Sequence, residues 1–175
     1  GAAAPGLAKD KPNGRSVQTG IEVLLDKPDL VKGKRVGLIT NPTGVTSDLT
    51  HAVDAMLAKK VNLVAVYGPE HGIRGTEQAG SAPGTYEDPK TGLPFYNLYN
   101  KSPEEIAPLF RDVDVVLFDI QDVGSRFYTY ISTMAYAMKA AALEDIPFIV
   151  LDRPNPIGGE KVEGPVLEPG YESFV

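Results

Sequence analysis

Apolar residues along the chain fall into short runs that alternate between two spacings, and that alternation predicts the elements. Ile21, Leu24 and Leu25 lie at helical spacing within 19–27, which gives a short amphipathic helix. Val36, Leu38 and Ile39 mark 34–40 as a core strand, closed by the turn sequence Asn41-Pro42-Thr43-Gly44. From Asp48 to Lys60 the pattern is helical again, with Leu49, Val53, Met56 and Leu57 on one side. Lys59 and Lys60 fall in its last turn, where the helix dipole favours cations, and His51 in its first turn reads as a surface or capping residue. A second strand spans 61–67. A third, 113–118, is apolar nearly throughout, as expected of a parallel strand covered on both faces. The segment 130–143 predicts a mostly buried helix, with Ile131, Met134, Ala135, Met138 and Ala142 on one stripe and Lys139 as its only charge. Residues 147–151 form the fourth strand.

Strands alternating with helices imply parallel pairing through right-handed crossovers, hence an open α/β sheet with helices on both faces. The stretch 73–101 lacks a sustained period and is too long for a plain connection, so it reads as a functional excursion over a sheet edge, with a small hairpin around Asp88–Gly92. Ser102-Pro103-Glu104-Glu105 then starts a short helix, with Ser as cap, Pro at the first helical position and Glu105 completing a capping box. Residues 1–18 mix Ala, Pro, Gly and Lys without period and read as a disordered leader, followed by one α/β domain over 19–160. Residues 161–175 are irregular and read as a linker into a second domain that this chain lacks.

Composition narrows the function classes. A chain of 175 residues with 42% hydrophobic content can build a real core. Its net charge of −6 and the absence of any Lys/Arg run argue against a nucleic-acid partner. Its longest apolar runs are far short of the roughly twenty residues a membrane-spanning helix needs. No Cys is present, which removes thiol catalysis, disulfides and cysteine metal sites, and His51 and His71 alone make a histidine-rich zinc site improbable.

In an open α/β sheet, ligands bind beyond the carboxyl ends of the strands. The polar loops holding Asn41, Glu70, Asp119 to Tyr128, and Asp152 to Asn155 are all such ends. Gly68-Pro69-Glu70-His71-Gly72-Ile73-Arg74-Gly75 stands out, because its glycines and proline shape the backbone while it gathers a carboxyl, an imidazole and a guanidinium. Such a set supplies proton transfer and anion recognition together. No dinucleotide fingerprint, phosphate-binding loop or serine elbow occurs, so nucleotide cofactors and serine hydrolysis lose their usual signals. Carboxylates remain: Glu70, Asp119, Asp122, Asp152 and Glu163 could provide the acid and the base or nucleophile of glycoside hydrolysis. The structural alternative is strongest for Asp119 and Asp152, which lie directly at strand ends where carboxylates commonly hydrogen-bond loop amides.

Five runs, Gly37–Gly44, Pro69–Gly72, Asp119–Tyr130, Asp152–Pro156 and Val162–Pro165, resemble the NamZ-type exo-β-N-acetylmuramidase family in consistent order across about 19–175. The resemblance implies a Rossmann-like domain followed by a second domain, with the site in the cleft between them. It implies an exported enzyme, secreted or periplasmic, that removes N-acetylmuramic acid from the non-reducing ends of peptidoglycan fragments. No cofactor or metal is implied. Glu70 becomes the first candidate for a catalytic acid and Asp122 the second. Candidate substrate-binding residues are Asn41, His71, Arg74, Asp119, Gln121, Arg126, Tyr128, Arg153, Asn155 and Glu163. Arg74, Arg126 and Arg153 come from three strand-end loops, and one of them is expected to grip the lactyl carboxylate that distinguishes muramic acid from glucosamine. The alternative is a non-catalytic sugar or peptidoglycan-binding module, which would keep the pocket without a paired acid.

Overall fold

A computed structural model describes residues 17–73, 75 and 84–174 of the chain. Its strands β1 (Val36–Thr40), β2 (Leu63–Gly68), β3 (Tyr86–Glu87), β4 (Pro94–Asn97), β5 (Val115–Asp119) and β6 (Phe148–Val150) form one six-stranded sheet in the order β3-β4-β2-β1-β5-β6. All pairings are parallel except β3 with β4, the hairpin expected around Asp88–Gly92, which extends the sheet beyond β2. The parallel α/β sheet predicted from apolar periodicity is therefore the observed architecture.

Successive strand residues point to opposite faces, and this splits the core in two. On one face Val36, Leu38, Val115 and Leu117 pack against α1 (Gly20–Asp26) and α2 (Ala52–Ala58). On the other, Ile39, Tyr67, Val116 and Phe118 meet α3 (Pro103–Ile106), its 3-10 continuation Ala107–Phe110, and α4 (Tyr130–Leu143). The predicted capping box starts α3: the Ser102 amide donates to Glu105 Oε2 at 2.8 Å, and the Glu105 amide donates to Ser102 Oγ at 3.3 Å.

Two helices differ from the pattern read along the sequence. The second begins at Ala52 rather than Asp48, with His51 as its cap, because the backbone doubles back before it in a turn closed by a bridge between Val45 and His51. Leu49, expected on the apolar face, takes a left-handed conformation (φ 65°) in that turn and is exposed. In α4 the buried face is Thr133, Ala137, Ala140 and Ala141, whereas Ile131 and Met138 face outward. Small side chains let the helix approach the sheet closely, so packing distance rather than hydrophobicity chooses the inner face.

After β1 the chain moves outward through β2 to β4, then returns to the other side of β1 for β5 and continues to β6. Strand order therefore reverses at β1 and β5, the position where open α/β sheets leave a crevice at their carboxyl edge.

Candidate functional site

At that reversal, polar side chains tie three strand-end loops into one floor. Arg153, from the loop after β6, donates through Nε to Asp119 Oδ1 at 2.7 Å and through an η nitrogen to Asp119 Oδ2 at 3.1 Å, and it reaches the Val45 carbonyl at 2.8 Å. Both partners are buried, with side chains 7% and 0% exposed. Burial pushes the Asp119 carboxyl above its ordinary value, and the hydrogen bond and charge of Arg153 pull it back. Thr40 Oγ1 donates to the Asp119 carbonyl at 2.8 Å. Gly44 packs so tightly here that a Cβ would lie 2.1 Å from Thr40 Oγ1 and 2.9 Å from the Asp119 carbonyl oxygen.

Asn41 is buried beside this pair. Its Oδ1 accepts from the Thr43 amide at 2.9 Å and the Thr43 hydroxyl at 2.6 Å, and Thr43 Oγ1 in turn accepts from the Gln121 amide at 2.9 Å. His51 donates through Nε2 to the Asn41 carbonyl at 3.2 Å while its Nδ1 accepts from the Val53 amide at 3.3 Å, a pattern met by one neutral tautomer. The Gln121 side-chain amide bridges the Asp122 carbonyl at 2.7 Å and the Pro154 carbonyl at 2.9 Å. Asp119, Arg153 and Gln121 thus hold loops together. Arg153, expected among the possible readers of a substrate carboxylate, has its guanidinium committed to Asp119 and Val45, because a bidentate partner inside the fold outcompetes one in solvent. The neighbour it pairs with is Asp119, across the sheet edge, rather than the adjacent Asp152.

The loop after β2 is rigid for a different reason. His71 and Gly72 both take left-handed conformations (φ 72° and 67°), and Gly75 repeats it at 68°. Pro69, Gly72 and Ile73 are buried, Ile73 completely, so the segment is pinned to the core on both sides of Glu70 and His71, which stay half-buried at the surface. A non-glycine residue at positive φ stores about 1 kcal/mol or more, and such strain clusters at functional loops. Arg74 lies outside the described residues.

Asp122 lies in the loop after β5, three positions beyond Asp119. Its Oδ1 accepts from the Gly124 amide at 2.7 Å, in a turn that Gly124 completes at φ 76°. Its Oδ2 is buried and has no hydrogen-bond partner. Close by is Tyr130, the first residue of α4, which sequence pattern marked only as a helix start. Burial is the main force raising its phenol above the ordinary tyrosine range; the Asn41 amide opposes, and Tyr128, Glu70 and Asp122 add to the rise. Glu70 and Asp122, from two different strand ends, both act on this phenol through their charge.

Beside these groups runs an open groove of about 1150 Å3, bounded by Gly124 to Phe127 on one side and by the irregular segment from Asn155 to Tyr171 on the other. Arg126, Asn155 and Glu163 line it, whereas Glu70 and Asp122 do not. Asn155 Oδ1 accepts from the Ile157 amide at 3.1 Å, so this side chain shapes its own turn. Tyr128 is 40% exposed and Phe127 74%, and their rings pair at 5.7 Å, with Tyr128 also 5.8 Å from Tyr130. The result is an aromatic shelf that begins at the groove with Phe127 and runs through Tyr128 to Tyr130. Among the described residues no three of His, Cys, Asp or Glu gather as a metal-binding group, and no helix is long and apolar enough to cross a membrane.

Comparison with known proteins follows the same residues. Residues 36–175 match the family described as exo-beta-N-acetylmuramidase NamZ, N-terminal. The chain is 56% identical over 161 residues to the peptidoglycan beta-N-acetylmuramidase NamZ of Bacillus subtilis (strain 168), covering 91% of this chain and 39% of that protein. Two crystal structures of DUF1343 family proteins from Bacteroides fragilis superpose with TM-scores of 0.78 and 0.76 at 54% and 37% identity. They are matched over 90% and 92% of this chain and 40% and 41% of their own. The chain spans about two fifths of the length of each of these relatives. On sequence and fold alike, it belongs to the NamZ N-terminal family.

Proposed function

We propose that this chain is the N-terminal part of a peptidoglycan glycoside hydrolase, an exo-acting β-N-acetylmuramidase that releases N-acetylmuramic acid from non-reducing ends. The observation that carries this reading is the 56% identity, over 91% of the chain, to a protein named for that activity on peptidoglycan. Glu70 is the proton donor to the leaving sugar oxygen. Its support is the pinned, strained loop that fixes it at the carboxyl edge of β2. Asp122 is the second carboxylate, held by its turn with Gly124. The shelf of Phe127 and Tyr128 offers apolar faces for a sugar ring, and Arg126, exposed in the groove, is the described arginine available to the lactyl carboxylate. His71, Asn155 and Glu163 complete the contacts, with Arg74 three positions after His71 as a further candidate.

The groove has one wall of ordered loops and one of exposed, irregular chain. In this reading a C-terminal domain of the same protein closes it, in keeping with relatives that are more than twice as long as the matched region. Because the substrate lies outside the cytoplasmic membrane, the protein works in a secreted or periplasmic setting.

The test is hydrolysis of a chromogenic N-acetylmuramic acid glycoside by the full-length protein. Release of the chromophore, with no release from internally linked peptidoglycan chains whose non-reducing ends are blocked, is the expected result. Binding of the sugar without cleavage would overturn the enzymatic reading in favour of a peptidoglycan-binding module.

A further inference from the structure

We propose that β6 is an inner strand of the intact protein, paired on its open side by a further strand that the polypeptide beyond residue 175 supplies through a crossover helix laid beside α4. This rests on one part of the reading above, that the chain is the N-terminal part of a longer protein.

The sheet ends differently at its two edges. At one, β3 is two residues long, antiparallel, and carries the exposed Glu87, the kind of short, charged edge that discourages further pairing. At the other, Phe148-Ile149-Val150-Leu151 has no charge and no proline, and among the described residues it pairs with β5 alone. The Val116 amide donates to the Pro147 carbonyl at 2.9 Å and the Leu151 amide donates to the Phe118 carbonyl at 2.8 Å, so alternate residues from Pro147 to Leu151 turn their backbone groups to β5. By the alternation of a parallel ladder, the N–H and C=O groups of Phe148 and Val150 point to the open side.

Both faces of this edge are apolar and exposed. Phe148 and Val150 lie on the α4 face, where the Phe148 ring meets Phe118 at 6.4 Å, and Val150 is 44% exposed. Ile149 points to the opposite face and is 36% exposed; beside it an open cleft of about 520 Å3 runs between β6 and α1, lined by Val17, Val23 and Leu30. On α4, Ile131, Ala135, Met138 and Ala142 recur at helical spacing and all are exposed, with Lys139 the only charge of the helix. A strand apolar on both faces belongs inside a parallel sheet with helices above and below it, and such a strand left at an edge invites pairing.

What covers these surfaces follows from length and handedness. The shared region is 39%, 40% and 41% of the three relatives, and the family it matches is described as N-terminal, so most of the polypeptide follows it. β5 reaches β6 through α4, and a right-handed crossover continued in the same direction places its helix on the same face, next to α4. There the helix takes Ile131 and Met138 from solvent, while the new strand bonds the free backbone groups of Phe148 and Val150 and narrows the cleft beside Ile149.

The test is hydrogen exchange on the full-length protein, resolved to single amides across 147–151, together with peroxide oxidation of Met138 read by mass spectrometry. The Phe148 and Val150 amides should exchange at least about a hundredfold more slowly than an unstructured chain, as Ile149 and Leu151 do, and at the same rate whatever the protein concentration. Met138 should oxidise roughly tenfold or more slowly than free methionine. Fast exchange at Phe148 and Val150 beside slow exchange at Leu151, in a protein that still cleaves the muramic acid glycoside, overturns this inference alone. Protection that vanishes on dilution to monomer assigns the edge to a second copy and overturns it as well, and a freely oxidised Met138 overturns the crossover helix beside α4. Full protection in a protein that binds N-acetylmuramic acid without cleaving its glycoside overturns the functional reading and leaves β6 an inner strand.

Discussion

Replacing Arg153 by Met removes a buried cation while keeping most of the aliphatic stem that packs around it. What is lost is a bidentate pair at 2.7 and 3.1 Å with Asp119, whose side chain is fully buried, together with the 2.8 Å bond to the Val45 carbonyl. Removing one partner of such a pair leaves an uncompensated buried charge and typically costs about 3–5 kcal/mol. For a domain of this size each kcal/mol lowers the melting temperature by about 2–4 °C, so a fall of roughly 6–20 °C is expected. The sign of the pH dependence follows from the carboxylate left behind. Burial already raises Asp119 above its ordinary value of 3.8, and losing Arg153 raises it further. A group that titrates higher folded than unfolded contributes most below the unfolded value and loses that contribution as pH rises through the folded one. The gap between parent and variant should therefore be narrowest near pH 4 and widest near neutrality. Urea denaturation at several pH values measures it, and the double variant Asp119→Asn with Arg153→Met should be less unstable than the summed singles. A loss below about 1 kcal/mol, or a gap unchanged across this pH range, would refute the structural role given to the pair.

Two further predictions concern the same framework. Glu22 accepts from the Thr19 and Ser47 amides at 2.9 and 3.0 Å, and its hydrogen bonds, led by Ser47, lower its pKa from 4.5 to about 2; Glu22→Gln should cost about 1 kcal/mol at neutral pH. Because the folded value is depressed, this contribution is present above 4.5 and fades as pH falls toward 2, so parent and variant should converge in acid, as followed by chemical denaturation. Gly44→Ala forces a methyl to 2.1 Å from Thr40 Oγ1 and should cost about 1–3 kcal/mol, read as a drop in melting temperature; a parent-like melt would show that the loop after β1 yields easily.

Particular residues show what the sequence makes legible. The strand runs around Leu38, Val66 and Leu117 are apolar on both faces and announce parallel pairing, which the sheet confirms. Ser102-Pro103-Glu104-Glu105 states its helix start in full, because capping is local chemistry. The inner face of α4 was not legible, since Ala137, Ala140 and Ala141 are chosen by how closely the helix approaches the sheet. At the site, strand-end position correctly flags where polar residues gather, but it does not distinguish a side chain pointing at solvent from one spent inside. Arg153 and Asp119 are 34 positions apart in sequence, and nothing in either loop alone names its partner. Tyr130 was hidden for the same reason: the groups that shift its phenol, Asn41 and Glu70 among them, follow other strands.

The central claim is that Glu70, on its pinned loop, gives a proton to the leaving sugar. Its most direct test is the turnover of a chromogenic N-acetylmuramic acid glycoside by full-length Glu70→Gln beside the parent, with folding checked by thermal melting. Removing a general acid costs about a hundredfold or more in rate, so turnover should fall at least that far while affinity for N-acetylmuramic acid stays near the parent's. Near-parental turnover in a folded Glu70→Gln protein would contradict the account.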